Sequence, residues 1–248
     1  MPQQLREQQR ITIPRVIEEL EKQTGGAIGK EDFFSVPSVS PITEFVEGLV
    51  GEPKYNLSTH FACGMATYAI RGDDDAVTPI TRFVDVDGLM AYLKEKAGRL
   101  KGGSNKYWTG LKVLAKLGSF VDKKKQPRGF NIARMLVSSL VKHNYRSLAK
   151  LHHQSLFIGM MHFQDLYNYD IERVKRCCIH YSQPDGTIIP FCAFNVIPQW
   201  YRDKIQKKYS TSIEEWEKKT GKKLSDDLYK RDAKKLEADP LYKETYSK

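Results

Sequence analysis

Apolar positions along this chain fall into short, separated groups, and their spacing predicts a series of modest helices and strands. Residues 14–24 (PRVIEELEKQT) read as a helix, with Pro14 in its first turn and Gly25-Gly26 ending it. Prolines at 37 and 41 exclude a long helix over 33–43 (FFSVPSVSPIT), which reads as an extended connector. Strands are predicted over 55–61 and 66–70, flanking Ala62-Cys63-Gly64, and over 77–85, with a turn at Gly72 through Asp75. A helix follows from Asp87 to Lys101, capped by Asp85 or Asp87. Gly102-Gly103 opens a flexible basic stretch, and KKKQPRG (123–129) reads as a second loop. Residues 130–151 place apolar side chains at 132, 136, 140, 141, 148 and 151, with Arg134, Lys142, Arg146 and Lys150 between them, which is the pattern of an amphipathic basic helix. Leu156–Phe163 reads as a buried strand or helix end. Beyond 199 the chain is rich in lysine and acid, with scattered apolar residues (Trp200, Tyr201, Ile205, Ile213, Trp216), predicting peripheral helices that fade into a mobile tail.

The clearest local signal spans 177–192. Two β-prone runs, Cys-Cys-Ile-His-Tyr-Ser (177–182) and Thr-Ile-Ile-Pro-Phe-Cys (187–192), flank Gln-Pro-Asp-Gly (183–186). Pro and Asp suit a turn centre and Gly a left-handed residue after it, so a hairpin is predicted. A loop of 184–185 alone sets Cys177 opposite Cys192; a bulge at Gly186 sets Cys178 there. Cross-strand Cβ atoms lie about 4.5–5.5 Å apart, near enough for one disulfide or one shared metal centre. Register beyond Pro190 stays open, since proline donates nothing to the ladder. These elements predict an α+β fold: a small mixed sheet with a cysteine-bearing β-hairpin packed by helices, plus a charged helical C-terminal tail. Three segments are expected: 1–50, 51–198 and 199–248. There is no internal repeat and no low-complexity tract.

With 248 residues, 40% of them apolar, the chain can bury a core as one domain or two small ones. No apolar run approaches the roughly 20 residues of a membrane span, and no signal segment opens the chain, so a cytoplasmic protein is expected. In a reducing compartment four cysteines favour thiols or metal ligands over a disulfide framework. The net charge of +10 is concentrated. Residues 94–150 hold 15 Lys/Arg against two acids, Glu95 and Asp122, for a local charge of +13, and the remainder carries −3. Such a segment attracts polyanions: nucleic-acid phosphates, anionic headgroups at the inner membrane face, or a phosphorylated small molecule. Lys123, Lys124, Lys125 and Arg128 are the candidate phosphate-binding side chains.

Phosphate-loop, nucleophile-elbow, HExxH and dinucleotide-fingerprint motifs are absent. His60 precedes Cys63 by three residues, and with the hairpin thiols it could complete a zinc site. Asp85, Asp87, Asp165, Asp170 and Glu172 are candidates for acid–base work, but nothing selects a pair.

Six segments occur in an order that resembles a known family: RITIPRVIEELEKQT (10–24), HFACGMATY (60–68), PITRFVDVDG (79–88), MHFQDLYNYDIERVKRC (161–177), HYSQPDGTIIPFCAFN (180–195) and EEWEKKTGKKL (214–224). They resemble the C-terminal half of large archaeal radical S-adenosylmethionine proteins, a family that includes tetraether lipid synthases and proteins once assigned as dihydropterin methyltransferases. The resemblance implies that 51–198 is an auxiliary iron–sulfur domain in which Cys63, Cys177 and Cys192 ligate a [4Fe–4S] cluster. Cys178, His60, the substrate or a partner's cysteine could supply the fourth ligand, and Lys175, Arg176 and Arg173 would offset the cluster's charge. It favours the register that sets Cys177 opposite Cys192. The CxxxCxxC motif and its barrel are absent here. The resemblance therefore implies a CxxxCxxC-bearing partner chain, with S-adenosylmethionine bound only in its presence, acting on an archaeal lipid (C–C coupling) or a pterin precursor (methylation). The basic segment tilts that choice toward a lipid. Two alternatives are a non-catalytic module for RNA or anionic membrane, nucleic acid being the weaker partner, and a structural zinc or thiol protein.

Overall fold

The computed structural model describes residues 3–55, 57–74, 76–132, 153–240 and 242–243. The basic helix expected at 130–151 lies almost wholly outside the described residues. The chain divides into two compact units: one runs through His180 and takes back Pro190–Cys192, and the other comprises Tyr181–Ile189 and the chain from Ala193 onward.

In the first unit, α1 (Gln3–Gln9) leads to α2 (Ile13–Gln23), which carries Pro14 in its first turn as expected. Thr24 ends α2, its Oγ1 donating to the Leu20 carbonyl at 2.7 Å. Strand β1 (Phe34–Ser35) and a 3-10 turn (Val36–Val39) precede α3 (Ser40–Val50), a helix where the prolines suggested an extended connector. The reason is positional: Pro41 falls in the first turn of α3, where its missing N–H costs nothing.

Strand β2 (Gly64–Arg71) is the centre of a sheet completed by β3 (Val77–Pro79) and β4 (Ser155–Met161). β4 pairs along nearly all of one edge of β2, from Gly64↔Met161 to Ile70↔Ser155. On the other edge, β1 pairs at Met65 and Ala66 and β3 at Ala69–Arg71. Each pairing is antiparallel, which refines the mixed sheet expected. The run 55–61 forms no strand among its described residues, and 61–63 is a 3-10 turn. The strand at 77–85 is shorter than expected, giving way to a 3-10 turn at Ile80–Arg82.

Alternation along β2 sends neighbouring residues into different cores. Ala69 packs with Ile17, Ile28 and Phe33, joined by Met65, Ile158 and Met160, so α2 covers that face. Ile70 points the other way, into Phe83, Val84, Phe130 and Ile132. A third cluster joins α3 to α4 (Val86–Lys101) and α5 (Lys106–Lys116) through Phe45, Leu93, Ala97, Leu100 and Val113. A Cβ on Gly48 would stand 2.8 Å from the Leu100 Cβ, so the glycine sets how closely α3 and α4 approach. Asp85 caps α4, accepting from Gly88 N–H at 2.9 Å. The basic stretch after Gly102-Gly103, expected to be flexible, forms α5, capped by Asn105.

Asp32 is fully buried and ties two turns together. It accepts from the Gly29 N–H at 2.8 Å, from Arg82 Nη2 at 2.8 Å and from the Thr81 hydroxyl. Glu31 also accepts from Arg82, at 2.8 Å.

After β4 come α6 (Ile171–Lys175) and the hairpin of β5 (His180–Ser182) and β6 (Ile188–Pro190), which runs into α7 (Phe191–Val196). The second unit carries α8 (Arg202–Tyr209), α9 (Ile213–Thr220), α10 (Leu224–Asp227) and α11 (Ala233–Ala238). These are the charged C-terminal helices the sequence predicts. Among the described residues, no helix is long and apolar enough to cross a membrane.

A candidate thiol site

Cys63 closes the 3-10 turn that enters β2. His60 Nδ1 accepts from the Ala62 N–H at 3.2 Å, and Cys63 N–H bonds the His60 carbonyl. The Cys63 carbonyl in turn accepts from His162 N–H at 2.9 Å, extending the β2–β4 ladder by one bond. The His60 ring thus caps the backbone of this turn through its Nδ1.

His162 links several neighbours. Its Nε2 lies 3.0 Å from Arg10 Nη2, and its carbonyl accepts from Arg173 Nη2 at 2.6 Å. Burial holds the imidazole's pKa below its ordinary value, reinforced by the charges of Arg173 and Arg10. The ring is therefore neutral at pH 7, with the proton assigned to Nδ1 by the Arg10 donor.

Arg173 comes from α6, whose start Asp170 caps by accepting from Glu172 and Arg173 N–H groups. Helical phase buries Arg173 to 6% exposure and leaves Lys175 and Arg176 outside. Gln164 Oε1 accepts from Asp170 N–H at 2.6 Å, anchoring the preceding loop to the helix cap. Asp165 accepts from Tyr167 and Asn168 N–H groups. The acidic candidates Asp85, Asp165 and Asp170 thus act as caps and turn acceptors.

Cys177 and Cys178 follow α6 directly. The Cys177 thiol donates to the Ile179 carbonyl at 3.0 Å. The hairpin closes as predicted: Gly186 is left-handed at φ 83°, and Gln183 N–H bonds the Thr187 carbonyl at 2.9 Å. Phe191 N–H bonds the Ile179 carbonyl at 3.0 Å, so 179 faces 191. This is the bulge register, which aligns Cys178 with Cys192 rather than Cys177 as the resemblance favoured. Cys192 then leaves the ladder, because the chain turns into α7 immediately after Pro190.

All four cysteines are free and half-buried. Burial pushes the Cys178 and Cys192 thiols above their ordinary pKa, and the proximity of Cys177 and Cys63 pushes both further. Arg173 opposes this at Cys192. The tertiary structure thus brings all four thiols into one electrostatic neighbourhood. Among the described residues two buried donors have no hydrogen-bond partner, Arg173 Nε and Gln164 Nε2, and the Arg173 charge acts on Cys192. Gln164 lies within reach of the Cys192 sulfur but makes no full hydrogen bond to it.

These groups have the chemistry to suit a thiolate-ligated group, since anionic sulfur would satisfy the orphan Gln164 N–H and be offset by the Arg173 charge. Among the described residues, no three His, Cys, Asp or Glu side chains converge as ligands of a single ion. Arg10, His162 and Gln164 were not singled out from the sequence. Arg10 opens the 10–24 segment and His162 and Gln164 lie in the 161–177 segment, but neither segment says which side chains turn inward. Lys123, Lys124, Lys125 and Arg128 are exposed on their own loop, where Lys125 pairs with Asp122 at 3.9 Å.

No protein-family model matches the chain. Over 215 residues it is 44% identical to a Methanocaldococcus jannaschii protein named 7,8-dihydro-6-hydroxymethylpterin dimethyltransferase. The match covers 84% of this chain and 41% of that protein, so the chain spans about two-fifths of the length of the curated relative it matches.

Proposed function

We propose that this chain is the thiol-bearing part of a pterin-directed methyltransferase and works with a CxxxCxxC-bearing part that supplies S-adenosylmethionine chemistry. The observation that carries this reading is the 44% identity over 215 residues to a protein whose name specifies methylation of a hydroxymethyl dihydropterin. That name moves the substrate from the lipid, suggested by the basic segment, to a pterin.

In this reading Cys63, Cys177 and Cys192 hold a [4Fe–4S] cluster, with Cys178 or His60 as the remaining ligand. The cluster would supply a redox-active or Lewis-acidic centre beside the substrate. The chain's own residues prepare the pocket for anionic sulfur. Arg173 lowers the cost of deprotonating Cys192, and Gln164 Nε2 offers sulfur a hydrogen bond. His162, held neutral, positions Arg173 through its carbonyl without adding a second buried cation.

The test is iron and acid-labile sulfide content after oxygen-free purification, with binding of 7,8-dihydro-6-hydroxymethylpterin measured by fluorescence on the same samples. Iron and sulfide near stoichiometry, lost in Cys63→Ser, Cys177→Ser or Cys192→Ser, together with saturable pterin binding, is the expected result. Zinc without sulfide, and no pterin binding, would overturn the reading in favour of a structural thiol protein.

A further inference from the structure

A cavity of about 310 Å³ lies between α4 and α5. It is lined by Lys96 and Arg99 of α4, Ser104 and Asn105 of the connecting turn, and Trp108 and Lys112 of α5, with Thr109 behind them. None of these residues belongs to the thiol site.

The charge here is one-sided. Lys96 is buried to 8% exposure, its ammonium 4.8 Å from the Tyr92 ring centre. Lys116 sits over the same ring, also at 4.8 Å. Glu95 accepts from Lys96 at 3.2 Å and from Arg99 at 2.6 Å, and the field of Lys116 reaches it as well. Among the described residues, Lys112 has no acidic partner. Three cations, Lys96, Arg99 and Lys116, thus share one carboxylate, Lys112 adds a further positive charge to the lining, and Lys96 is buried. Packing like charges and desolvating an ammonium both cost free energy, which a bound anion would offset.

The lining also indicates which anion. Lysine and arginine donors with a serine hydroxyl are the side chains that bind phosphate oxygens. Asn105 Oδ1 already accepts from the Tyr107 and Trp108 N–H groups, so the helix start is capped and recognition falls to the cationic side chains. Trp108 is 65% exposed and forms a flat apolar wall. The volume stands at the small end of ligand pockets, enough for a phosphoryl group and a modest attached ring.

We propose that this cavity binds a phosphate ester, with the phosphoryl group held by Lys96, Arg99 and Lys112 and the attached group against Trp108. Two sources carry such a phosphoryl group, a soluble molecule and a phospholipid headgroup. It is distinct from the exposed loop cations Lys123, Lys124, Lys125 and Arg128.

The experiment titrates the full 248-residue chain with phenyl phosphate and, in a second arm, with phosphatidic acid vesicles against phosphatidylcholine vesicles. Tryptophan fluorescence and calorimetry are the readouts, and Trp108→Phe separates the cavity's signal from those of Trp200 and Trp216. Saturable binding is expected, roughly tenfold weaker in Arg99→Ala and in Lys112→Ala. In the combined Lys123→Ala, Lys124→Ala, Lys125→Ala variant it stays within about twofold of the parent. Tighter binding of phenyl phosphate marks a soluble ligand; tighter binding of phosphatidic acid vesicles, with the same variant pattern, marks a headgroup. No saturable binding in either arm would overturn the proposal. So would a triple-lysine variant that loses as much as Lys112→Ala, since that is generic attraction to a basic segment.

Discussion

Single buried polar groups carry much of the specificity in this molecule. Asp32 is fully buried and accepts from Gly29, Arg82 and Thr81. Removing its carboxylate leaves the Gly29 N–H and the Thr81 hydroxyl without their acceptor, so Asp32→Ala should cost about 3 kcal/mol. Urea unfolding should show a lower midpoint at unchanged slope; an unshifted midpoint would make the network ornamental. Arg173 plays the comparable part at the thiols. Its charge lowers the Cys192 pKa, so Arg173→Gln raises it and slows alkylation of Cys192 by iodoacetamide between pH 7 and 9. All four thiols were visible in the sequence, and so were the basic residues Arg173, Lys175 and Arg176 near them. Which of Arg173, Lys175 and Arg176 turns inward was not, because that depends on the phase of a five-residue helix against a core.

Local elements were legible where a cap or turn residue states its own geometry. Asp85 caps α4 as read, and Asp85→Ala should cost about 1 kcal/mol in thermal or urea unfolding. The QPDG turn is equally local. A Cβ at Gly186 meets no atom within 4 Å, so Gly186→Ala should cost only the backbone term, about 1 kcal/mol. Asp185 Oδ1 accepts from the Thr187 hydroxyl at 2.7 Å and from its N–H at 3.0 Å, and the hydroxyl bond chiefly holds its pKa below the ordinary value of 3.8. A carboxylate with a depressed folded pKa stabilises the turn above 3.8, and that support is lost as pH falls through the lower folded value. The Thr187 amide resonance should therefore titrate below pH 3.8 in the parent and not in Asp185→Ala. Elements whose signal is ambiguous were missed: α3 behind two prolines, and α5 behind a glycine pair.

At the scale of the whole molecule, three hydrophobic clusters hold the first unit, and one sheet joins two of them. Phe83 is 2% exposed and meets Phe130 edge-on at 6.1 Å. Phe83→Ala should cost about 3–5 kcal/mol, seen by calorimetry as a lowered transition. Because the chain forms two compact units, that transition need not be the only one. A single unfolding transition shifted by under 1 kcal/mol would show that the cluster around Phe83 is not a core.

Composition and local pattern by themselves determined the α+β class, the cap of α4, the hairpin with its left-handed glycine, and the charged C-terminal helices. Each of these follows from interactions spanning a few residues, which a sequence states directly. Only the tertiary structure decided the rest. It paired β4 with β2 across some ninety residues, which brought the His162 strand end beside Cys63. It turned the chain into a helix after Pro190, drawing Cys192 out of the ladder, and it gathered Lys96, Arg99 and Lys116 around Glu95. Those outcomes depend on which surfaces bury one another, and burial is a property of the packed whole rather than of any segment in it.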